Sequence, residues 1–269
     1  MFGIYSIFDE YKRRGEVQVP YVTVSGISIY VESTIGNSLP IVFVHGAGGS
    51  SKSWSEQLVS DSQYNSWALD LPGHGKSEGS LLSNIKDMAE FINDFIKALT
   101  LEKFVLVGHS MGGAIVQEFA LQYPEKLRGL VLIATGARLK VSKGVLSTLA
   151  TGNMPFKDVN HLYGSSTSDD KREEAMWEMN EISPTVYWAD FEACNKFDRV
   201  LSVGKIKVPS LIIVGDEDVM TPLKYSQFLS SNLPNSQLRI IKGAGHMCML
   251  EKPTEVTTEL ERFIRNCVD

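Results

Sequence analysis

Four short runs in this chain are apolar almost without interruption: Pro40-Ile41-Val42-Phe43-Val44, Phe104-Val105-Leu106-Val107, Gly129-Leu130-Val131-Leu132-Ile133-Ala134 and Ser210-Leu211-Ile212-Ile213-Val214. A strand with one wet face alternates apolar and polar residues; runs without alternation belong to strands covered on both faces. Helical spacing lies between and around them. Ile85, Met88, Ile92, Phe95, Ile96 and Leu99 form one stripe, and Val256, Leu260, Phe263 and Ile264 form another behind Pro253 and Thr254. Apolar strands alternating with amphipathic helices predict a parallel sheet with helices on both faces. Ser66–Asp70 and Gln237–Ile241 are further strand candidates. A hairpin of Val22–Val24 with Ile27–Val31, turning at Ser25-Gly26, adds antiparallel strands at one edge. In such sheets chemistry collects at the carboxyl ends of the strands.

The rhythm breaks between Ala134 and Pro209. That segment mixes Met154, Phe156, Tyr163, Met176, Met179, Tyr187 and Phe191 with acids and lysines, and offers no buried strand. It reads as a helical lid inserted into one core: core residues 1–136, lid 137–206, core 207–269. A chain of 269 residues can bury such a core without covalent staples. Cys194, Cys248 and Cys267 are too few and too scattered for a disulfide framework or a zinc site, and point to a reducing compartment. Residues 1–10 lack the apolar core of a secretory signal, and no run is long enough to span a bilayer. A cytoplasmic location without membrane attachment is expected, with a processed secreted form as the alternative. The net charge of −6 opposes nucleic acid and anionic membranes. Basic residues are dispersed except for Lys12-Arg13-Arg14, read as a solvated helix end.

One motif carries chemistry. Gly108-His109-Ser110-Met111-Gly112 joins the strand ending at Val107 to the helical run Gly113–Ala120. A serine between glycines at a strand-to-helix junction has the pattern of a nucleophile elbow. The turn is so tight that flanking side chains have no room, and the hydroxyl stands clear of the sheet at the positive end of a helix. A serine hydroxyl needs a base, and the base needs an acid to orient it. Of the five histidines, His246 in Gly243-Ala244-Gly245-His246 follows the last strand and is the candidate base. His45 and His74 lie in loops beside the site and suit positioning roles, His109 a structural role, and His161 belongs to the lid or surface. Asp216, Glu217 and Asp218 all follow a buried strand, and spacing does not choose among them.

The chain resembles the α/β-hydrolase superfamily, in its serine-esterase branch, from about Val22 to Phe263. His45-Gly46-Ala47-Gly48-Gly49, Asp70-Leu71-Pro72-Gly73-His74-Gly75-Lys76-Ser77, the Ser110 elbow, Gly215-x-x-Asp218 with Pro222, and Gly245-His246 with Glu251 and Pro253 stand in the family's order. The resemblance implies an α/β-hydrolase fold, a triad of Ser110, Asp218 and His246, and an oxyanion hole from the backbone N–H groups of Ala47 and Met111. It implies no metal or organic cofactor. A serine nucleophile disfavours the dehalogenase and epoxide hydrolase chemistries, which use aspartate, and the dienelactone hydrolases, which use cysteine. The expected activity is hydrolysis of small to medium carboxylic esters through an acyl-enzyme. Gly46, Trp177 and Trp188 are expected to contact the small-molecule ester. The same triad could instead cleave C–C bonds, thioesters, lactones or amides, or serve a slow-turnover receptor of a small signalling molecule.

Overall fold

The computed structural model describes residues 20–36, 39–59 and 64–268; the N-terminal segment with Lys12-Arg13-Arg14 lies outside the described residues. Eight strands form one sheet: β1 Tyr21–Val24, β2 Ile27–Thr34, β3 Pro40–Val44, β4 Asn65–Leu69, β5 Phe104–His109, β6 Leu127–Ile133, β7 Ser210–Gly215 and β8 Ser236–Ile241. Their order is β1-β2-β4-β3-β5-β6-β7-β8. β2 pairs antiparallel with β1 and β4, and every other pairing is parallel. The hairpin therefore supplies the antiparallel edge.

Seven helices of eight residues or more accompany the sheet among the described residues. They are α1 Ile85–Ala98, α2 Met111–Gln122, α3 Lys143–Ala150, α4 Asp169–Glu181, α5 Pro184–Lys196, α6 Leu223–Asn232 and α7 Pro253–Val268. The period-two geometry of a strand explains the uninterrupted apolar runs. Val42, Val44, Leu106, Leu130 and Leu132 face one way and pack with Met88, Ile92 and Phe95 of α1 and Phe119 of α2. Ile41, Phe43, Val105, Val107, Val131 and Ile133 face the other way and pack with Trp54 and with Val256, Leu260 and Phe263 of α7. Burying each such side chain contributes about 1.5–3 kcal/mol. β8 closes the sheet as an edge, with Ile240 exposed.

Between β6 and β7 the chain is helical, carrying α3, α4 and α5. Its only sheet-like feature among the described residues is an isolated bridge from Arg138 to Asp198. Leu149, Val159, Tyr163, Met179 and Tyr187 form a small cluster of their own. Ala193 and Cys194 at the end of α5 join the main core instead. No described helix is long and apolar enough to cross a membrane.

Candidate active site

Ser110 occupies the single residue between β5 and α2, with φ 52° and ψ −113°. This left-handed backbone is uncommon for a side chain with a Cβ and costs on the order of 1–3 kcal/mol. Neighbouring elements hold it there. The Ser110 N–H donates to the Ile133 carbonyl at 2.9 Å, and Thr135 Oγ1 donates to the Ser110 carbonyl at 2.8 Å. The flanking glycines are required by contact. A Cβ on Gly108 would lie 2.3 Å from the Gly112 carbonyl oxygen, and one on Gly112 would lie 2.2 Å from that of Val44. Ser110 is half-buried at the N-terminus of α2.

The loops after β7 and β8 cross where the Glu217 N–H donates to the Ala244 carbonyl at 3.0 Å. This crossing puts His246 beside Asp218. His246 Nδ1 lies 3.0 Å from Asp218 Oδ2, with both side chains almost fully buried. Asp218 Oδ1 also accepts from the backbone N–H groups of Met220 and Thr221, each at 2.8 Å, and Oδ2 accepts from Thr221 Oγ1 at 2.7 Å. Burial alone would raise the Asp218 pKa. His246 and the Thr221 bonds more than offset it and hold the carboxyl down at about 2. An ionised Asp218 makes Nδ1 the protonated nitrogen of His246 and leaves Nε2 able to accept a proton.

The elbow and the His246 loop meet through His109. Its Nε2 donates to the His246 carbonyl at 3.0 Å, and the two rings lie 4.8 Å apart. Burial pulls the His109 pKa down to about 3, so this ring is a neutral structural contact. His45 is likewise neutral. Burial and the neighbouring His74 lower its pKa to about 3. Because Leu71 N–H donates to Nε2 at 3.1 Å, the proton sits on Nδ1, which donates to the Gly46 carbonyl at 2.8 Å. His161 is half-buried and stacked on Phe156 at 4.6 Å.

The other candidates fall in different places. Gly46 backs onto the elbow: a Cβ there would lie 3.2 Å from Ser110 Cβ. Ala47 is half-buried in the same loop, and Met111 is the first residue of α2. Asp216 is exposed and accepts from the Gly243 N–H at 2.7 Å; Glu217 is exposed and accepts from Ser165 Oγ at 3.0 Å. Trp177, 63% exposed, and Trp188, 38% exposed, stand at the solvent surface rather than among the buried groups. For Trp177 the reason is that Ala175, Met176 and Met179 are the side chains α4 packs on the small cluster, and Trp177 stands off that side of the helix.

Three residues were given no role in the reading of the sequence. Thr221 supplies two of the Asp218 bonds. Glu251, quoted only as part of a motif, accepts from Gly245 N–H at 2.8 Å with one oxygen. With the other it accepts from Gly164 N–H at 2.7 Å and Thr167 Oγ1 at 2.6 Å. Asp190 of α5 is fully buried and bonds two loops of the site. A lone acid inside Tyr187-Trp188-Ala189-Asp190-Phe191 was the available signal for it. Among the described residues no three His, Cys, Asp or Glu side chains converge as a metal cluster. The arrangement can orient an imidazole with a carboxylate, move protons at its free nitrogen, and present backbone N–H groups beside a serine.

Residues 40–160 match the family model described as alpha/beta hydrolase fold. A solved thermophilic esterase is 32% identical, covering 92% of this chain and 97% of that one, with a TM-score of 0.79. The chain is also similar to an uncharacterised hydrolase of Bacillus subtilis, 27% identical over 90% of this chain and 96% of the other. The pimeloyl-[acyl-carrier protein] methyl ester esterase of Nitrosomonas europaea is 26% identical over 85% of this chain and 96% of its own length.

Proposed function

The chain belongs to the α/β-hydrolase superfamily, alongside its esterases, and from that premise we propose that it hydrolyses carboxylic esters through an acyl-enzyme on Ser110. The observation that carries the reading is the buried Asp218–His246 pair at 3.0 Å, on a loop that touches the elbow through His109. Ser110 attacks the ester carbonyl while His246 Nε2 takes its proton. Asp218 holds the imidazole in the tautomer that makes this possible and stabilises the cation that forms. The N–H groups of Ala47 and Met111 bind the oxyanion, aided by the positive end of α2. His246 then protonates the leaving alcohol, and water repeats the sequence on the acyl-enzyme.

Substrates of small to medium size fit a segment 137–206 that covers the strand ends as a lid. The aromatic side chains of Phe156, Tyr187 and Phe191, which pack with one another, suit an apolar acyl or alcohol group. Labelling with a fluorophosphonate, followed by mapping of the adduct, tests the nucleophile without choosing a substrate. The adduct is expected on Ser110, and Ser110→Ala is expected to lose labelling and to cut turnover by several orders of magnitude. Wild-type hydrolysis by Ser110→Ala would end this reading. A panel of p-nitrophenyl esters, thioesters, lactones and amides then ranks the bond cleaved.

A further inference from the structure

Asp190 belongs to α5, outside both parts of the sheet, yet it is buried against the loops that follow β3 and β4. Its Oδ2 accepts the Gly48 N–H at 2.7 Å and lies 2.9 Å from His74 Nε2. The other ring nitrogen of His74 lies 3.1 Å from the Pro72 carbonyl. A carbonyl and a carboxylate accept, so this pair of partners favours a proton on each ring nitrogen and the charged form of His74. Burial opposes that charge; the hydrogen bond and charge of Asp190, with the Pro72 carbonyl and the charge of Asp70, outweigh burial and raise the His74 pKa. Asp70 is the other acid whose charge reaches the pair, and the remaining titratable neighbours are neutral. His45, with its ring 5.0 Å from that of His74, has its pKa lowered to about 3. Tyr187 and Cys194, one turn either side of Asp190 on α5, are kept protonated by burial and by Asp190 itself.

The loop that Asp190 grips carries Ala47. Gly46 to Gly49 form a turn closed by Gly49 N–H donating to the Gly46 carbonyl at 3.0 Å, with Gly48 at φ +64° as a type II turn requires. The Gly46 carbonyl shares a peptide plane with the Ala47 N–H, and it is held by Gly49 and by His45. The next peptide is held through its Gly48 N–H by Asp190. Tyr187 presses on the same residue, since a Cβ on Gly48 would lie 2.2 Å from its ring.

We propose that Asp190, with His74 as its counter-ion, is a positioning residue that sets the turn presenting the Ala47 N–H to the oxyanion. The inference rests on the serine hydrolase reading above. The counter-ion has its own purpose. An unpaired carboxylate one peptide away would repel the negative charge that develops on the substrate, and the imidazolium cancels it.

The test compares Asp190→Ala, Asp190→Asn and Ser110→Ala on a short-chain p-nitrophenyl ester, with kcat followed against pH. Asp190→Ala is expected to lose about 10- to 100-fold in kcat with KM changed less than about threefold, as for a misplaced transition-state donor. Asp190→Asn keeps an acceptor for the Gly48 N–H and is expected to recover most of that loss. An alkaline fall in kcat is expected of the wild-type enzyme as His74 loses its proton, and Asp190→Asn should abolish it; a wild-type profile without that fall overturns the counter-ion role. Folded Asp190→Ala with wild-type kcat overturns the inference. So does Asp190→Asn with an unaltered alkaline limb, which decides the matter even if the alanine variant does not fold. Loss of hydrolysis in Ser110→Ala alongside either result confines the failure to Asp190; retention of hydrolysis there sinks the underlying reading instead.

Discussion

Asp216 and Asp218 stand two positions apart and have opposite surroundings. Asp218 is buried under four hydrogen bonds, three of them from residues 220 and 221; Asp216 is exposed and bonds one loop amide. Asp218→Asn is therefore expected to lower turnover by about 10³–10⁴, because an amide favours the wrong tautomer of His246. Asp216→Asn should stay within about threefold of wild type, as surface changes do. Steady-state kinetics on one ester checks both, and similar losses would undo the choice of acid. Gly112→Ala places a methyl 2.2 Å from the backbone oxygen of Val44, which has no rotamer by which to retreat. Its expected cost is about 3 kcal/mol or more, read from urea unfolding; a loss below about 1 kcal/mol would show that the strand gives way there. In the chain, the three acids after Gly215 were indistinguishable by spacing, and it was the resemblance that selected Asp218. What separates them physically is burial, a property of the loop crossing at Ala244 rather than of the residue.

Helices α4 and α5 are neighbours in the chain and differ in what they bury. α4 carries many charges and hides only Met179, while α5 buries Tyr187, Ala189, Asp190, Ala193 and Cys194. Local opening follows buried contact, so amides of α4 are expected to exchange with solvent much faster than those of α5 in native-state hydrogen exchange. The reverse order would contradict the anchoring of α5 by Asp190 and Tyr187. The pair also shows why this region was harder to read than the sheet. α4 has only a short apolar side, Ala175, Met176 and Met179, among many charges, and α5 faces its own small cluster and the main core at once. An expectation of helices followed from the absence of strand runs; which helix would reach Gly48 did not follow. The strands were easier because burial on both faces is written into every position of Ile41–Val44 and Leu130–Ile133.

Three buried histidines tie the stability of the whole molecule to pH. His45 and His109, with pKa values near 3, stay neutral in the folded protein. As pH falls from about 6.5 toward 3 the unfolded chain takes up protons that the folded one refuses, and stability is lost across that window. Asp218 adds a loss from about pH 4 down to about 2, through protonation of a carboxyl whose folded pKa is depressed. His74 works the other way. Its raised pKa contributes stability that is present below about pH 6.5 and is lost as pH rises through the folded value. Because the His74 contribution no longer changes below about pH 6.5, the urea midpoint is expected to fall steadily on acidification below about pH 6; a midpoint constant down to about pH 4 would show that His45 and His109 titrate normally. The parallel sheet, the order of the motifs along it and the elbow at Ser110 were all present in local patterns, because strand burial and tight turns depend on adjacent residues. The contacts of Asp190, 116 residues from His74 and 142 from Gly48, left no such pattern. They exist because a helix docks at one angle on two loops, and docking depends on the packed surface as a whole, which no short stretch of chain encodes.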